Sequence, residues 1–365
     1  MAKAFLSTDW HLGIYPLELE KWDKIQTDFI YNFFIPLLEE KSKPGDIFIF
    51  LGDLYHDRTN LPILSLHNAE KAIRRISEIL PVHIIVGNHD LWNKGNNTVN
   101  SPGVFNWIPN VKVYTETHTL DIDGKKLVLM PWVEKKKDLI DEINTNPGDY
   151  LFCHSDLNGC RMHLNSVAHR NKDKIDVDNF SLYRRVFSGH IHIRQVMKNF
   201  EFIGAPYHMD RNDKGDDKGV TVLDIKTGET SFYENTISPR FKEIYVKSEE
   251  DLNELEQIDT NRDFIDLTIN NSILVGKRKN KKNLDVVLEN KRFATVNYNN
   301  DIVKEKENNN LPELKIETSA DGTITSDMGK ILLDYIGKME YPDKKIKKGV
   351  EKTAKKVLEI HKSKL

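Results

Sequence analysis

The chain has 365 residues, 39% of them hydrophobic and 30% charged, with a formal net charge of −3. That length holds one large domain plus one or two smaller ones, and the composition suits a soluble globular protein with a sizeable core. No apolar run approaches the ~20 residues that span a bilayer, the N-terminus shows no cleavable signal pattern, and two cysteines, Cys153 and Cys160, are too few for a disulfide framework or a thiolate metal site. A cytoplasmic protein with both thiols reduced is expected. Because the net charge is slightly negative, nucleic-acid binding would have to rest on a local patch.

Over residues 1–235, short β-rich apolar runs alternate with helical patterns. Strands are expected at 4–7, 47–51, 82–86, 127–130, 150–153 and 186–188. Helices are expected at 22–38, from Ile25, Phe29, Phe33 and Leu37, and at 64–80, from Ala69, Ala72, Ile73, Ile76, Ile79 and Leu80. Both sets recur at about 3.6 residues. Strands alternating with helices argue for a layered α/β fold. The Asp123-Gly124 and Thr227-Gly228 turns each join two strands, so antiparallel pairing is mixed in.

From Pro239 the order becomes strand 241–246, helix 249–257, strand 264–269, helix 283–290 and strand 294–298, a compact βαβαβ unit. It carries a basic run of Lys277, Arg278, Lys279, Lys281 and Lys282. Taken alone, such a run is more often a solvated face than a binding surface. Residues 301–326 include Asn308-Asn309-Asn310 and few large apolar side chains, and read as a linker. Beyond it Met328, Ile331, Leu332, Tyr335, Ile336 and Met339 form an apolar helical stripe. Pro342 ends that helix, and a second amphipathic pattern follows with Ile346, Val350, Ala354 and Val357. A stripe beyond a linker either folds back on its own domain or docks a partner, and a linker of this length favours the partner. The expected division is therefore 1–238, 239–300, a linker 301–326 and a helical tail 327–365.

Five expected strands end in metal-ligating residue types. They run into Asp9-Trp10-His11, Gly52-Asp53, Gly87-Asn88-His89-Asp90, His154 and Gly189-His190-Ile191-His192. Each cluster alone is weak, since a lone Asp-x-His or Gly-Asp is common. Their joint occurrence at strand ends is not, because the carboxyl ends of strands in an α/β sheet converge on one ligand-binding edge. Asp9, His11, Asp53 and His192 could hold one cation, and Asp53, Asn88, His154 and His190 a second, with Asp53 bridging. Carboxylate, imidazole and amide oxygen without thiolate suit Mn²⁺, Fe or Zn²⁺ better than Ca²⁺ or Mg²⁺ alone. Two such cations about 3.5–4 Å apart lower the pKa of a shared water and favour attack on phosphorus. His89 is then left to assist the leaving oxygen as general acid or charge stabiliser. His56, on the loop after Asp53, could position substrate.

These five signatures resemble those of the calcineurin-like metallophosphoesterases. Asp9-Trp10-His11-Leu12-Gly13 and Gly52-Asp53-Leu54-Tyr55-His56-Asp57 are similar to the SbcD-type DNA-repair nucleases, and among them to the recombination endonuclease subunits of tailed phages. Protein phosphatases of the superfamily have Asp three residues after the bridging Asp, where this chain has His56. The resemblance covers roughly residues 3–225 and continues more weakly beyond. It implies a four-layer sandwich of two mixed sheets flanked by helices, a DNA-capping domain at 239–300, and a tail that binds an SMC-like coiled-coil ATPase. It also implies a homodimer, Mn²⁺-dependent exonuclease action on duplex ends, endonuclease action on single strands or hairpins, and a bacterial or phage origin. A small-substrate phosphodiesterase or phosphatase, and a non-catalytic scaffold for the ATPase, are the rival readings. Gly204-Ala205-Pro206-Tyr207 and the polar stretch 212–217 depart from the cellular pattern, and the sequence offers no physical reason for the second.

Overall fold

The computed structural model describes residues 2–14, 19–164, 166, 171, 174–299 and 352–353. The chain divides into two units, Met1–Asn299 and Asn300–Leu365, and the fold described is that of the first. Its strands are β1 (Lys3–Ser7), β2 (Ile47–Phe50), β3 (Val82–Ile85), β4 (Leu91–Asn93), β5 (Asn96–Asn100), β6 (Val111–Tyr114), β7 (His118–Ile122), β8 (Lys125–Met130) and β9 (Tyr150–His154). They continue as β10 (Arg185–Gly189), β11 (Gln195–Met197), β12 (Phe200–Phe202), β13 (Gly219–Asp224), β14 (Thr230–Glu234), β15 (Phe241–Val246), β16 (Phe264–Asn270) and β17 (Thr295–Asn299). The helices are α1 (Leu19–Asp28), α2 (Ile35–Lys41), α3 (Ile63–Ser77), α4 (Lys136–Thr145), α5 (Glu249–Glu254) and α6 (Arg278–Asn290).

Two six-stranded sheets have the orders β14-β13-β1-β2-β3-β6 and β11-β12-β10-β9-β8-β7. Both are mixed. Strands β1, β2, β3 and β6 run parallel, as do β8, β9, β10 and β12, while β13, β14, β7 and β11 pair antiparallel. Alternation sends Ala4, Leu6, Ile47 and Ile49 of the first sheet against Leu127, Leu129, Tyr150 and Phe152 of the second, so the two sheets pack face to face. The opposite face of the first sheet, with Phe5, Phe48 and Phe50, is covered by α1 to α3. The opposite face of the second, with Val128, Leu151 and Val186, is covered by Leu139 and Ile143 of α4. Mixed sheets flanked by helices, expected from the alternation of patterns, are what the chain forms.

The helix expected at 22–38 differs. A π-helical turn, Phe29–Phe34, separates α1 from α2. The wider turn lets Phe29, Ile30 and Phe34 all be buried. Phe29 and Phe34 meet the edge of Trp10 at centroid distances of 5.7 and 5.9 Å. Such turns recur beside functional sites, and Trp10 lies between Asp9 and His11. Burying this indole inside an aromatic cage fixes the loop that carries both residues, and truncation to Ala would cost about 3–5 kcal/mol.

Strands β15, β16 and β17 form a separate parallel sheet with its own core, to which Leu252 of α5 and Leu284 and Val287 of α6 contribute. Helix α6 begins at Arg278, earlier than the expected 283, so most of the basic run lies in its first turns. The sheet is joined to the rest of the unit by Trp22, stacked on Phe264 at 5.9 Å, and by Arg211, whose guanidinium grips Asp266 through two hydrogen bonds of 2.8 and 3.1 Å.

Candidate metal centre

The parallel strands β1, β2, β3, β9 and β10 end at one edge of the stacked sheets. Their loops stay bonded to one another: the Asp9 amide donates to the Gly52 oxygen at 3.0 Å and the His11 amide to the Asp53 oxygen at 3.1 Å. Glycines allow this approach. A Cβ on Gly87 would stand 2.3 Å from Asp53 Oδ1, and one on Gly189 would stand 2.1 Å from Thr8 Oγ1. Asp9, His11, Asp53 and His190 all have positive φ, at 50°, 42°, 58° and 82°. That region is uncommon outside glycine, and each such residue stores on the order of 1–3 kcal/mol of strain. Strain gathered on four candidate ligands is the backbone signature of a functional site.

The side chains converge in two groups. His11 Nε2 lies 3.1 Å from His192 Nε2, 3.7 Å from Asp9 Oδ1 and 3.7 Å from Asp53 Oδ2. His154 Nε2 lies 3.2 Å from Asp53 Oδ2 and 3.1 Å from Asn88 Oδ1, which is 2.9 Å from His190 Nδ1. In the clusters Asp9–His11–His192 and Asp53–His154–His190, the ligand atoms lie within 4.8 Å of one another. Atoms bound about 2.1 Å from a single tetrahedral ion stand roughly 3.4 Å apart, so both groups fit a cation, with Asp53 between them. The seven candidate ligands named from the sequence are thus brought together.

Charge compensation is the other half of the fit. Burial pushes the Asp9 carboxyl up to about 7. Burial would also raise Asp53, but the neighbouring His154 holds it well below the usual carboxylate range. Burial opposes charge on His154, while Asp53 carries its imidazole up to about 9. Burial drives His190 down to about 3, His192 to about 4, and His11 well below its ordinary value. Without a cation these buried groups sort themselves into one ion pair and several neutral donors. Of these, His11, His190 and His192 are already neutral donors, while a divalent cation would displace the His154 proton and favour the ionised Asp9 carboxylate, so that binding releases protons.

The supporting residues set orientation. His154 Nδ1 donates to the Leu51 oxygen at 2.7 Å, which fixes the tautomer that leaves Nε2 for the site. Gln26 of α1 donates to the His11 oxygen at 3.1 Å. His11 Nδ1 is buried without a hydrogen-bond partner among the described residues. The Tyr207 hydroxyl donates to the Trp10 oxygen, and the Ala205 amide donates to the His192 oxygen at 2.9 Å, so the stretch 204–207 braces both sides of the centre.

His89 and His56 lie at its margin. His89 Nδ1 donates to the His56 oxygen at 2.6 Å, and the two rings stack at 5.6 Å with 22° between planes. The His11 ring is 4.9 Å from that of His89 and 5.4 Å from that of His56. The pinned Nδ1 leaves His89 Nε2 as the nitrogen free for a substrate oxygen.

Three contributors were not assigned from the sequence. Asp90 accepts the amides of Asp53 at 2.8 Å, Leu54 at 2.9 Å and Gly87 at 2.9 Å, locking two strand-end loops together. Its place in the Gly87–Asp90 motif was the available signal. Trp132 sits just after β8 with its ring 5.2 Å from that of His190, and was legible as one more strand-end residue. Lys218 is buried, bonded to Asp213 at 2.7 Å and Asp216 at 2.8 Å, and donates to the His192 oxygen at 2.7 Å. The stretch 212–217, without a reason in the sequence, is thereby the holder of that lysine, and no local pattern marks it.

The basic run lies apart, on the third sheet's helix. Arg278, Lys279, Lys281 and Lys282 are exposed, whereas Lys277 is paired with Glu249 at 2.5 Å. Met328, Ile331, Leu332, Tyr335, Ile336 and Met339 lie outside the described residues. Among the described residues no helix is long and apolar enough to cross a membrane.

The family model for calcineurin-like phosphoesterases matches residues 3–194, the span that carries every one of these candidate ligands. The chain belongs to that family. This phosphoesterase is 30% identical over 233 residues to exonuclease subunit 1 of Enterobacteria phage T4, across 62% of this chain and 66% of that protein, just under two thirds of its length. It is 25% identical over 237 residues to the protein of Invertebrate iridescent virus 6 named putative phosphoesterase 244L, across 60% of this chain and 80% of the viral one. Among solved structures, a protein of unknown function from Aquifex aeolicus aligns with 48% of this chain and 89% of its own at 16% identity, with a TM-score of 0.25, too loose to say anything about the fold.

Proposed function

We propose that this phosphoesterase is a metal-dependent DNA nuclease, cutting duplex ends as an exonuclease and single strands or hairpins as an endonuclease in recombination or repair. The observation that carries the reading is the pair of carboxylate–histidine groups meeting at Asp53, with His89 held by the His56 carbonyl at their margin. Kinship with a phage protein named as an exonuclease subunit supports nucleic acid as the substrate and a multi-subunit setting. His56 supports it too, since protein phosphatases of the superfamily place Asp there.

Asp9, His11, His192 and Asp53 would hold one cation, and Asp53, Asn88, His154 and His190 the other, with Mn²⁺ the proposed metal. The pair, when bound, supplies Lewis acidity that activates water and offsets charge on the phosphoryl oxygens. The chain's own part is orientation. Asp90 and the strand-end amides fix Asp53, the Leu51 carbonyl fixes His154, and the His56 carbonyl directs His89 Nε2 toward the leaving oxygen. His89 in its imidazolium form can give that oxygen a proton from Nε2.

Arg278, Lys279, Lys281 and Lys282 are proposed to contact phosphates. Four cations crowd the positive end of the α6 dipole, an arrangement that is unfavourable until an anion meets them. The apolar stripe Met328–Met339 is proposed to bind an SMC-like ATPase partner, and the chain to act as a homodimer.

Comparing turnover of a linear duplex with that of a small phosphodiester, both in Mn²⁺, tests the reading. Efficient cleavage of the duplex supports it. Rapid hydrolysis of the small diester with the duplex untouched would replace it with a small-substrate phosphodiesterase.

A further inference from the structure

We infer that Trp92 is a base-stacking platform that positions the substrate's end nucleotide beside the metal centre. The inference rests on the nuclease reading. Leu91 is buried in the core beside Asp90, and the next residue, Trp92, is 66% exposed on β4. No hydrogen bond or ring contact holds the Trp92 side chain among the described residues. Three residues of chain span at most about 11 Å, so the main chain of Trp92 starts within that distance of His89.

The ribbon that carries it is rigidly attached to the same frame as the site. A free two-stranded ribbon is marginally stable in water, and main-chain and side-chain amides secure this one. The Ser101 amide donates to the Asp90 oxygen at 2.9 Å, closing the base of the β4–β5 hairpin on the residue that locks the Asp53 loop. Asn97 reaches from β5 to the Trp132 oxygen at 3.0 Å, and the Trp132 ring lies 5.2 Å from that of His190. Trp92 therefore stands on a support bonded to both sides of the centre. The register is irregular between Leu91 and Asn93, where the facing segment of β5 bulges.

The chemistry of the surroundings selects bases over phosphates. The hairpin is made mainly of Asn, Thr and Gly, with Lys94 as its charged residue. Its residues 94–98 form one wall of a cavity of about 420 Å³, lined elsewhere by Glu116, Glu134, Asp138 and Glu142 with Lys135. Those carboxylates disfavour a phosphate chain at the cavity, while Trp92, outside that lining, offers an exposed indole face on which any base can stack.

The test compares wild type, Trp92→Ala and Trp92→Phe on a duplex with 2-aminopurine at its end nucleotide and on bis(p-nitrophenyl) phosphate, both in Mn²⁺. Losing one base–aromatic stack should lower kcat/KM on the duplex by roughly 5- to 150-fold relative to the small diester, with Trp92→Phe recovering most of it. Quenching of 2-aminopurine on binding should fall in Trp92→Ala. Equal duplex-to-diester ratios and equal quenching in wild type and Trp92→Ala overturn the inference while leaving the nuclease reading intact. A wild-type protein that turns over the diester and neither cuts nor quenches the duplex overturns both.

Discussion

The buried Lys218 ammonium donates to the main-chain oxygen of His192 at 2.7 Å, while Asp213 and Asp216 hold it at 2.7 and 2.8 Å. The lysine thus converts a polar surface stretch into a brace for one side of the centre. Replacing Lys218 by Met leaves two buried carboxylates without their cation, a loss of about 3–5 kcal/mol. Urea unfolding should register it. Calorimetric titration should also show Mn²⁺ affinity falling roughly 10- to 100-fold, as when an outer partner of a ligand is removed. Full Mn²⁺ affinity in the folded variant would mean that the brace serves stability alone.

Asp90 ties two strand-end loops through one carboxylate. An Asn at this place accepts on one side only, so at least one amide of Asp53, Leu54 or Gly87 would face an NH₂ group. Asp90→Asn is expected to lose about 1–3 kcal/mol of stability and to bind Mn²⁺ more weakly, because the Asp53 loop loosens. Thermal unfolding with and without Mn²⁺ measures both. A variant with the same metal-induced gain as wild type would refute the link to Asp53.

Gly87→Ala places a methyl group 2.3 Å from Asp53 Oδ1 and 2.5 Å from its amide nitrogen. Something must move, and Asp53 is the closest neighbour. A shift of about 1 Å at a reacting centre can cost roughly 100-fold in rate. Cleavage of duplex and of a small diester should fall together, since the defect lies at the centre rather than in DNA binding. Near-native rates on both would show that the loops yield elsewhere.

The α6 cations act at a distance from the chemistry. Changing Lys281 and Lys282 to Glu should weaken DNA binding and reduce the slope of log affinity against log salt by about 0.9 for each phosphate no longer neutralised. Hydrolysis of a small diester should stay as it is. An unchanged salt slope would remove α6 from the DNA path.

Strands were the most legible feature of the chain. The runs at 4–7, 47–51, 150–153 and 186–188 are short, β-rich and buried, and each falls within a residue or two of the strand that forms. Their polar endings, with that of the run at 82–86, gave the seven candidate ligands, because a sheet brings together what the chain holds far apart. The β4–β5 ribbon escaped, since Asn-rich strands have no apolar alternation and are held by side-chain amides. The π-helical turn at Phe29–Phe34 escaped as well, because its apolar spacing mimics an ordinary helix and the aromatic cage around Trp10 decides its width. Lys218 could not be read at all. Its partners are nearby in sequence, but its target, His192, is joined to it only by the fold.

Cleavage of an end-labelled linear duplex, in Mn²⁺, Mg²⁺ or chelator, with Asp53→Asn beside the wild type, bears most directly on the two-cation nuclease. Loss of label that requires Mn²⁺, stops with chelator and vanishes in Asp53→Asn is the expected result. Cleavage that survives Asp53→Asn, or an intact duplex in every cation while a small phosphodiester is consumed, would contradict it.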